Sequence, residues 1–344
     1  MQAVIAGYYG QGNGGDEALL VTLLQLLPPQ VTPVVLSAQP NQTTARYGVA
    51  SCPHRDFARI FFLLCQSQIF IWGGGSLMQD ATSWASPFYY GGLMAIAQIL
   101  GLKTLAWAQG IGPLHNPPTR WLTRQVLSRC QGVSVRDRAS AALLGQWQIP
   151  HSLAPDPVWL LESAPLAPHS LTPPVVAINL RRHPLLTPQR VDLLIQALSH
   201  FQQASQAHFR LIPFQGSQDL ALAEAIALAL PGPYEILSRE DPRELLALFE
   251  GVDLTIAMRL HSLIMAAAAG DRCFALSYDP KVSALMAEIG IPGWELESLP
   301  AHFEEISQIW QSQLLQGQPL RVEQLLELRQ QTQVHRHLLA RICQ

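Results

Sequence analysis

The sequence predicts an α/β fold with two doubly wound, Rossmann-like domains that face a cleft, and three observations support this prediction. The 344 residues exceed one ordinary core and fit two domains of about 150 residues each. The composition, 49% hydrophobic and 14% charged, is typical of a well-packed globular chain. Short apolar runs alternate with longer helical patterns in both halves, which indicates parallel strands joined by crossover helices.

The first half contains five apolar runs that we predict to be parallel strands. Most of them precede a glycine-bearing turn and then a helical pattern, as in residues 17–27 and 92–100. The predicted strands cover residues 3–6, 33–36, 68–72, 104–108 and 132–135.

The second half repeats this alternation, so two sheets of similar construction are expected in a glycosyltransferase-B-like architecture. Its predicted strands cover residues 175–180, 208–212, 235–237, 254–257 and 273–277.

Four prolines within residues 160–174 interrupt the pattern and predict a linker there. We therefore expect an N-terminal domain over residues 1–164, a C-terminal domain over 165–320 and a closing helix over 321–344. That last helix has spaced apolar residues among basic and amide ones. It is expected to dock on the N-terminal domain, and the alternative is a weak basic amphipathic helix on an anionic membrane surface.

Charge and cysteine usage narrow the function classes. A net charge of −3 provides no general field for nucleic acid, so an anionic ligand must be met by a local cluster of basic residues. Five scattered cysteines suggest neither a disulfide framework nor a metal site.

The N-terminus is predicted to be a buried strand rather than a secretion signal, and no apolar run is long enough to span a membrane. We expect a cytoplasmic protein with at most peripheral membrane contact.

The segment around Arg259 and His261 is the strongest functional signal in the chain. An apolar strand there opens into an Ala-rich helix, and the first turn of a helix leaves backbone N–H groups free to bind an anion. Arg259 adds a permanent cation, and His261 can carry a proton near neutral pH. The junction therefore predicts a place to hold a phosphate and to move a proton.

Two glycine-rich segments follow strands of the first half. The first covers residues 7–17, and its glycine spacing does not fit a dinucleotide fingerprint. Asp16 and Glu17 at its end either compensate the helix dipole or bind sugar hydroxyls. In the second, residues 73–75 are three consecutive glycines, which favours a loop that a ligand approaches. Asp80, just beyond them, is either a base toward an acceptor hydroxyl or a helix cap.

Further candidates lie where other strands end. Arg181 is expected to point toward the cleft, Gln109 lies at the same sheet edge as the glycine loops, and Lys281 offers another cation or a solvated helix start. The aromatic residues that follow Asp80 in the chain either stack on sugar rings or fill a core. They are Trp84, Phe88, Tyr89 and Tyr90.

Taken in order, these motifs resemble the polysaccharide pyruvyl transferases, and within them the bacterial CsaB-type branch. The resemblance extends through most of the chain, and it is the joint order and spacing of short motifs that make it specific. The motifs are residues 7–10 and 15–18, 73–76 with 79–80, 109–113, 135–137, 259–261 and 278–281.

The resemblance implies transfer of the enolpyruvyl carbons of phosphoenolpyruvate onto two sugar hydroxyls, giving a cyclic ketal and phosphate. It places the donor near Arg259 and His261. Phosphoenolpyruvate then acts as a co-substrate, with no cofactor and no metal. Arg259, Arg181, Lys281 and Ser262 are expected to hold the donor. The expected acceptor-side residues are Asp16, Glu17, Gly74, Gly75, Ser76 and Gln109.

In the expected reaction His261 protonates the methylene carbon, and Asp80 or Asp16 orients or deprotonates the acceptor. Resemblance suggests a cell-wall or surface polysaccharide precursor as acceptor, free or lipid-linked, at the inner face of the membrane. Two rivals stay open: a nucleotide-sugar glycosyltransferase of the same architecture, and a non-catalytic sugar- or phosphate-binding protein. The sequence does not indicate the oligomeric state.

Overall fold

The computed structural model describes residues 1–81, 83–164 and 174–343. The chain divides into two compact units. The first comprises Met1–Gln11, Asp16–Leu161 and Glu327–Gln344, and the second comprises Gly12–Gly15 and Glu162–Leu326. Most of the predicted linker, residues 165–173, lies outside the described residues.

The first unit is built on a seven-stranded sheet in which all neighbouring strands pair in parallel. The strand order is β3-β2-β1-β4-β5-β6-β7, so it reverses between β1 and β4. Parallel order with a reversal is the doubly wound pattern, which collects ligand-binding loops at the carboxyl ends of the strands. The strands are β1 Gln2–Ala6, β2 Thr32–Ser37, β3 Ala50–Pro53, β4 Ile69–Met78, β5 Lys103–Ile111, β6 Gly132–Val135 and β7 Ser152–Leu153.

Helices cover both faces of this sheet, and each covered face has its own apolar core. Alternate residues of the strands point to opposite faces, so Phe70 packs in one core and Ile71 in the other. The helices are α1 Gly14–Leu26, α2 Pro40–Tyr47, α3 Phe57–Gln66, α4 Ala85–Ile99, α5 Pro117–Leu127 and α6 Arg138–Gln146, with a short 3-10 helix at Pro157–Leu160.

The second unit contains a six-stranded parallel sheet in the order β10-β9-β8-β11-β12-β13, which reverses between β8 and β11. Its strands are β8 Val175–Asn179, β9 His208–Leu211, β10 Tyr234–Ile236, β11 Leu254–Ala257, β12 Arg272–Ser277 and β13 Gly293–Glu295. Its helices are α7 Pro188–Ser205, α8 Gly216–Ala229, α9 Pro242–Ala247, α10 Leu260–Ala269, α11 Pro280–Ile289 and α12 Phe303–Gln316, and a final helix is α13 Val322–Ile342.

The predicted fold class is confirmed, because two parallel sheets with interleaved helices form a two-domain Rossmann-like α/β fold. All ten predicted strands are present; β4 ends six residues and β5 three residues beyond the predicted bounds, and the other bounds agree within one residue. Three short strands, β3, β7 and β13, were not predicted. Each has two to four residues at or near a sheet edge, too short to show a hydrophobic period.

The three consecutive glycines correct one prediction, since they lie inside β4 instead of in a loop after it. Gly74 and Gly75 have φ of 92° and 93°, and the pairing of β4 with β5 shifts register between Gly75 and Met78. A side chain at Gly74 would meet Leu19 of α1 at 3.2 Å. Glycine is therefore required for an irregular strand lying close under a helix.

Helix α13 packs Leu338, Leu339 and Ile342 into a core of the first unit, whereas Val322 and Leu326 near its start are exposed. His335 fixes it there: one ring nitrogen lies 2.9 Å from the Ser134 hydroxyl and the other 2.9 Å from the Pro155 carbonyl. Burial lowers the pKa of His335 to about 4, so the ring is neutral and donates only to Pro155.

Candidate functional site

The carboxyl edge of the second sheet brings together Arg181 and Arg259, two of the four donor-side residues that the sequence predicted. Strands β8 and β11 are neighbours, with Ala257 opposite Asn179. Two residues beyond each of these positions lie Arg259 and Arg181. The Asn179 side-chain oxygen accepts a hydrogen bond from the Arg259 backbone N–H at 3.3 Å, which joins the two strand ends.

Arg259 is the N-cap residue of α10, and its side chain pairs with a residue that the sequence did not suggest. Its Nε donates to one carboxylate oxygen of Asp219 at 2.8 Å, and a terminal nitrogen donates to the other at 2.6 Å. Both side chains are buried, with 7% and 1% exposed. The Asp219 carboxylate also accepts the backbone N–H groups of Phe214 and Gln215.

Arg181 is anchored to the residue beside Asp219. One terminal nitrogen donates to the Gln218 side-chain oxygen at 2.7 Å, and the other donates to the Tyr278 hydroxyl at 2.9 Å. Its guanidinium carbon lies 5.2 Å from the centre of the Tyr278 ring. Consecutive residues of the first turn of α8 therefore hold both predicted donor-side arginines.

His261 lies in the first turn of α10 and is only partly buried, so its imidazole is not enclosed by packed side chains. The glycine-rich segment Gly12–Gly15 belongs to the same unit, where the Gly14 N–H donates to the Phe214 carbonyl at 2.8 Å. A Cβ placed on Gly15 would lie 2.1 Å from Nδ1 of His261. Gly15 is thus needed so that the backbone can approach the imidazole.

Two other donor-side predictions have different surroundings. Ser262 is fully buried, and its hydroxyl finds no hydrogen-bond partner among the residues that the structure describes. Lys281 lies in the first turn of α11 and is partly buried; its backbone N–H donates to Asp279, the N-cap of that helix. These contacts leave both donor-binding roles as predictions.

In the first unit, the edge that follows β1 and β4 brings Asp16 close to the glycines of β4. A Cβ on Gly75 would lie 3.2 Å from the Asp16 carboxylate. Glu17 is buried, and its two oxygens accept hydrogen bonds from the Gly10 N–H at 2.7 Å and the Tyr47 hydroxyl at 2.8 Å. Burial raises the pKa of Glu17, although these hydrogen bonds oppose the rise. Glu17 therefore ties the Gly10 turn in place.

The contacts of Asp80 favour the capping role over the role of base. Its carboxylate accepts four hydrogen bonds: from the His115 and Asn116 backbone N–H groups, the Asn116 side-chain amide and the Thr119 hydroxyl, at 2.7–3.0 Å. Burial raises its pKa, but these bonds outweigh burial and hold the pKa well below its ordinary value. A carboxylate so stabilised is a poor proton acceptor, so we do not retain Asp80 as a base.

Ser76 and Gln109 occupy the same edge of the first sheet, on β4 and β5. The Ser76 hydroxyl accepts from Arg136 at 3.4 Å, and Arg136 forms a buried ion pair with Asp156. Gln109 is fully buried, and its side-chain amide donates to the Trp107 carbonyl at 2.9 Å. Its side-chain oxygen accepts nothing from the described residues.

A small pocket in the second unit contains an acidic residue that the sequence did not indicate. Glu295, at the end of β13, accepts a hydrogen bond from Ser283 at 2.6 Å. The pocket has a volume of about 310 Å³, and Ser277, Tyr278 and Glu297 also line it. The sequence missed Glu295 because β13 itself was missed.

Metal sites and membrane spans were searched for within the same described residues. They contain no group of three or more His, Cys, Asp or Glu side chains placed to hold a metal ion. None of their helices is both long and apolar enough to cross a bilayer.

Comparison with known proteins relates the chain to one family and one fold. The model of the family described as polysaccharide pyruvyl transferase matches residues 13–280. No curated protein sequence matches the chain.

Solved structures show that the fold is shared. The UDP-GlcNAc 2-epimerase from Neisseria meningitidis bound to UDP-GlcNAc has a TM-score of 0.64 and 9% identity over 99% of this chain and 100% of its own. The Anabaena protein HepE in complex with UDP has a TM-score of 0.59 and 12% identity over 100% and 98%. MurG from Acinetobacter baumannii has a TM-score of 0.55 and 13% identity over 99% of both chains.

Proposed function

The chain belongs to the polysaccharide pyruvyl transferase family, and from this premise we propose that it transfers the pyruvyl group of phosphoenolpyruvate to two hydroxyls of a sugar. The products are a cyclic pyruvate ketal and inorganic phosphate. One observation carries the proposal: Arg259 and His261 begin α10, and Arg181 is anchored beside the partner of Arg259 on α8.

The charge of the donor matches this edge of the sheet. Phosphoenolpyruvate has a phosphate and a carboxylate close together, and the first turn of α10 offers backbone N–H groups to an anion. A guanidinium has five N–H donors, and Arg259 uses two of them on Asp219. We propose that the remaining three are directed to the donor, with Arg181 as the second cation and Lys281 and Ser262 as further donor-side residues.

In the proposed chemistry, protonated His261 gives a proton to the methylene carbon of phosphoenolpyruvate, which becomes the methyl group. The first sugar hydroxyl bonds to the resulting cationic central carbon and loses its proton. The bond from that carbon to the phosphate oxygen then breaks, and the phosphate leaves with the electron pair. The second hydroxyl bonds to the same carbon, loses its proton and closes the ring.

The acceptor side stays a prediction at the edge of the first sheet. Asp16 lies beside Gly75 and is our candidate for orienting or deprotonating a hydroxyl. Gly74, Ser76 and Gln109 are retained as binding residues, whereas both Glu17 oxygens are already engaged. We propose a cell-wall or surface polysaccharide precursor as the acceptor, free or lipid-linked. We propose a cytoplasmic location, a metal-free reaction and no cofactor.

Phosphate release tests the proposal. The protein is incubated with phosphoenolpyruvate and a panel of free, nucleotide-linked and lipid-linked sugars, and released phosphate is measured with the mass of the acceptor. We expect phosphate release coupled to the mass gain of one pyruvyl group. His261→Asn should abolish turnover and leave phosphoenolpyruvate binding within about threefold of wild type. Binding without turnover in the wild type would favour the non-catalytic class.

A nucleotide-sugar glycosyltransferase is the rival, and one observation favours it. Glu295 lines a pocket with Ser277 and Tyr278 at the carboxyl edge of β12, where a carboxylate can accept hydrogen bonds from the two hydroxyls of a ribose. Structural neighbours with this fold are bound to UDP or UDP-GlcNAc. Transfer of a sugar from a nucleotide donor, with no pyruvyl gain in the presence of phosphoenolpyruvate, would favour this rival.

A further inference from the structure

One face of the first unit exposes an unusual set of large apolar side chains. All six exposed Phe and Trp side chains among the described residues belong to the segment that forms α3, α4 and α5. Phe62 is 70% exposed, and Trp121 is 64% exposed. The described part of the second unit exposes aliphatic residues and Tyr234 but no Phe or Trp. The surface formed by Phe57, Phe61, Phe62, Trp84, Phe88 and Trp121 is called the aromatic face below.

The three helices lie side by side on the same face of the sheet. Ile60 of α3, Met94 of α4 and Val126 of α5 all pack into one core, whereas α1 and α13 pack into the core on the opposite face. Phe57 contacts Tyr89 of α4 edge to face at 6.3 Å, and a Cβ on Gly91 of α4 would meet Leu122 of α5 at 2.8 Å. The three helices are therefore neighbours on this face of the sheet.

Helical spacing places the exposed residues outward. In α3, Phe57, Phe61 and Phe62 are exposed, whereas Ile60 and Leu64 are buried. In α4, Phe88, Ile96 and Ile99 form a second stripe, and Ile99 is 85% exposed. Leaving so many large apolar side chains in water is unfavourable, and patches of this kind mark interaction surfaces.

The charge of this face indicates what covers it. Residues 55–66, 84–100 and 117–129 contain five Lys or Arg and one Asp or Glu, a net charge of +4 (5 − 1), in a chain whose net charge is −3. The single acid, Asp56, accepts the Arg59 N–H as the N-cap of α3. All five arginines are exposed: Arg55, Arg59, Arg120, Arg124 and Arg129.

From this combination we infer that the aromatic face docks on the surface of an anionic lipid bilayer. The Phe and Trp side chains enter the boundary between headgroups and acyl chains, and the arginines contact lipid phosphates. This inference does not depend on the proposed chemistry. It also assigns membrane contact to α3–α5, whereas the alternative that the sequence offered was α13, which packs Leu338, Leu339 and Ile342 into a core of the first unit.

Vesicle co-sedimentation of the full chain tests the inference. Vesicles of phosphatidylcholine alone are compared with vesicles that contain equal parts of phosphatidylcholine and phosphatidylglycerol. We expect binding to the anionic vesicles, weakening as salt is added. The double substitutions Phe61→Ser/Phe62→Ser and Arg59→Glu/Arg124→Glu should each weaken binding at least about tenfold.

Two matched controls keep the test specific. Arg336→Glu/Arg341→Glu makes the same charge change on exposed positions of α13, and Leu228→Ser/Leu315→Ser removes exposed apolar side chains from the second unit. Both should bind like wild type. The inference is overturned if wild type does not bind anionic vesicles, or if the α13 pair alone reduces binding. It is also overturned if the aromatic-face variants bind normally but convert a dimer to a monomer in gel filtration, because the face would then cover a second copy.

Discussion

Arg259 and Asp219, which lie forty residues apart in the chain, form a buried two-point ion pair at the carboxyl edge of the second sheet. The pair sets the orientation of Arg259 at the proposed donor site. Arg259 does not reach the site as an isolated cation; it is held by Nε and one terminal nitrogen, which fixes the plane of the guanidinium. Asp219 is thus a positioning residue, and the backbone N–H groups of Phe214 and Gln215 fix it in turn.

Replacing Asp219 by Asn should destabilise the fold and impair donor binding together. The change leaves a buried guanidinium without its counter-charge, which costs about 3 kcal/mol in the free energy of unfolding measured with urea. The KM for phosphoenolpyruvate should rise at least about tenfold because Arg259 loses its fixed orientation. Asp192→Asn, an exposed acid in the same unit, is the control and should change neither quantity. A normal KM in the Asp219 variant would argue against a positioning role.

Gly15→Ala should remove activity with little loss of stability. The new methyl group would lie 2.1 Å from Nδ1 of His261, so the imidazole must move. We expect kcat to fall at least about a hundredfold, because a displacement of about 1 Å at a reacting group has this effect. Gly145→Ala, where a Cβ meets open space, should retain full activity. If the Gly15 variant turned over at the wild-type rate, the position of His261 would not matter to the reaction.

Asp80→Asn separates a helix cap from a catalytic base. Since the carboxylate accepts four hydrogen bonds around the start of α5, we expect a loss of about 1–2 kcal/mol in the free energy of unfolding. The pH profile of kcat should keep its shape. A loss of turnover by several orders of magnitude, with normal stability, would restore Asp80 as the base.

The buried His335 makes stability depend on pH. Burial lowers its pKa to about 4 in the folded protein, against about 6.5 for an unperturbed histidine. Between these values the unfolded chain binds more protons, so stability is complete above about pH 6.5 and is lost as the pH falls toward 4. The difference corresponds to about 3 kcal/mol. His335→Gln should flatten this part of the urea stability curve, whereas His302→Gln, at an exposed position, should leave it unchanged.

Much of the fold and part of the site could be predicted from the sequence. Strands such as β11 are buried on both faces and appear as continuous apolar runs, so their ends, and with them Arg259 and His261, could be located. The edge strand β13 has only three residues, which is too short to show a hydrophobic period, so neither it nor Glu295 at its end was predicted. The irregular strand at Gly74 and Gly75 was predicted to be a loop. Consecutive glycines are typical of loops, and the sequence does not show that these residues with positive φ remain paired within a strand.

Asp219 could not be predicted, because the pairing that gives it a role is a property of the folded sheet. In the sequence it is an acid in the first turn of α8, where compensation of the helix dipole is a sufficient explanation. The role of Asp219 depends on the positions of β9 and β11 in the sheet, because α8 follows β9 and Arg259 follows β11 at the same edge. Asp80 shows the converse: in the sequence it is a plausible base, but its carboxylate accepts hydrogen bonds from residues around the start of α5.

Calorimetry of phosphoenolpyruvate binding to two neighbouring arginine variants shows whether the donor binds at the carboxyl edge of the second sheet. Arg181 is anchored to Gln218 and Tyr278, whereas Arg182 is exposed. If the donor binds at the carboxyl edge of the second sheet, Arg181→Met should weaken binding at least about tenfold and Arg182→Met less than about threefold. Equal affinities for wild type and Arg181→Met, or no binding by wild type, would rule out this donor site.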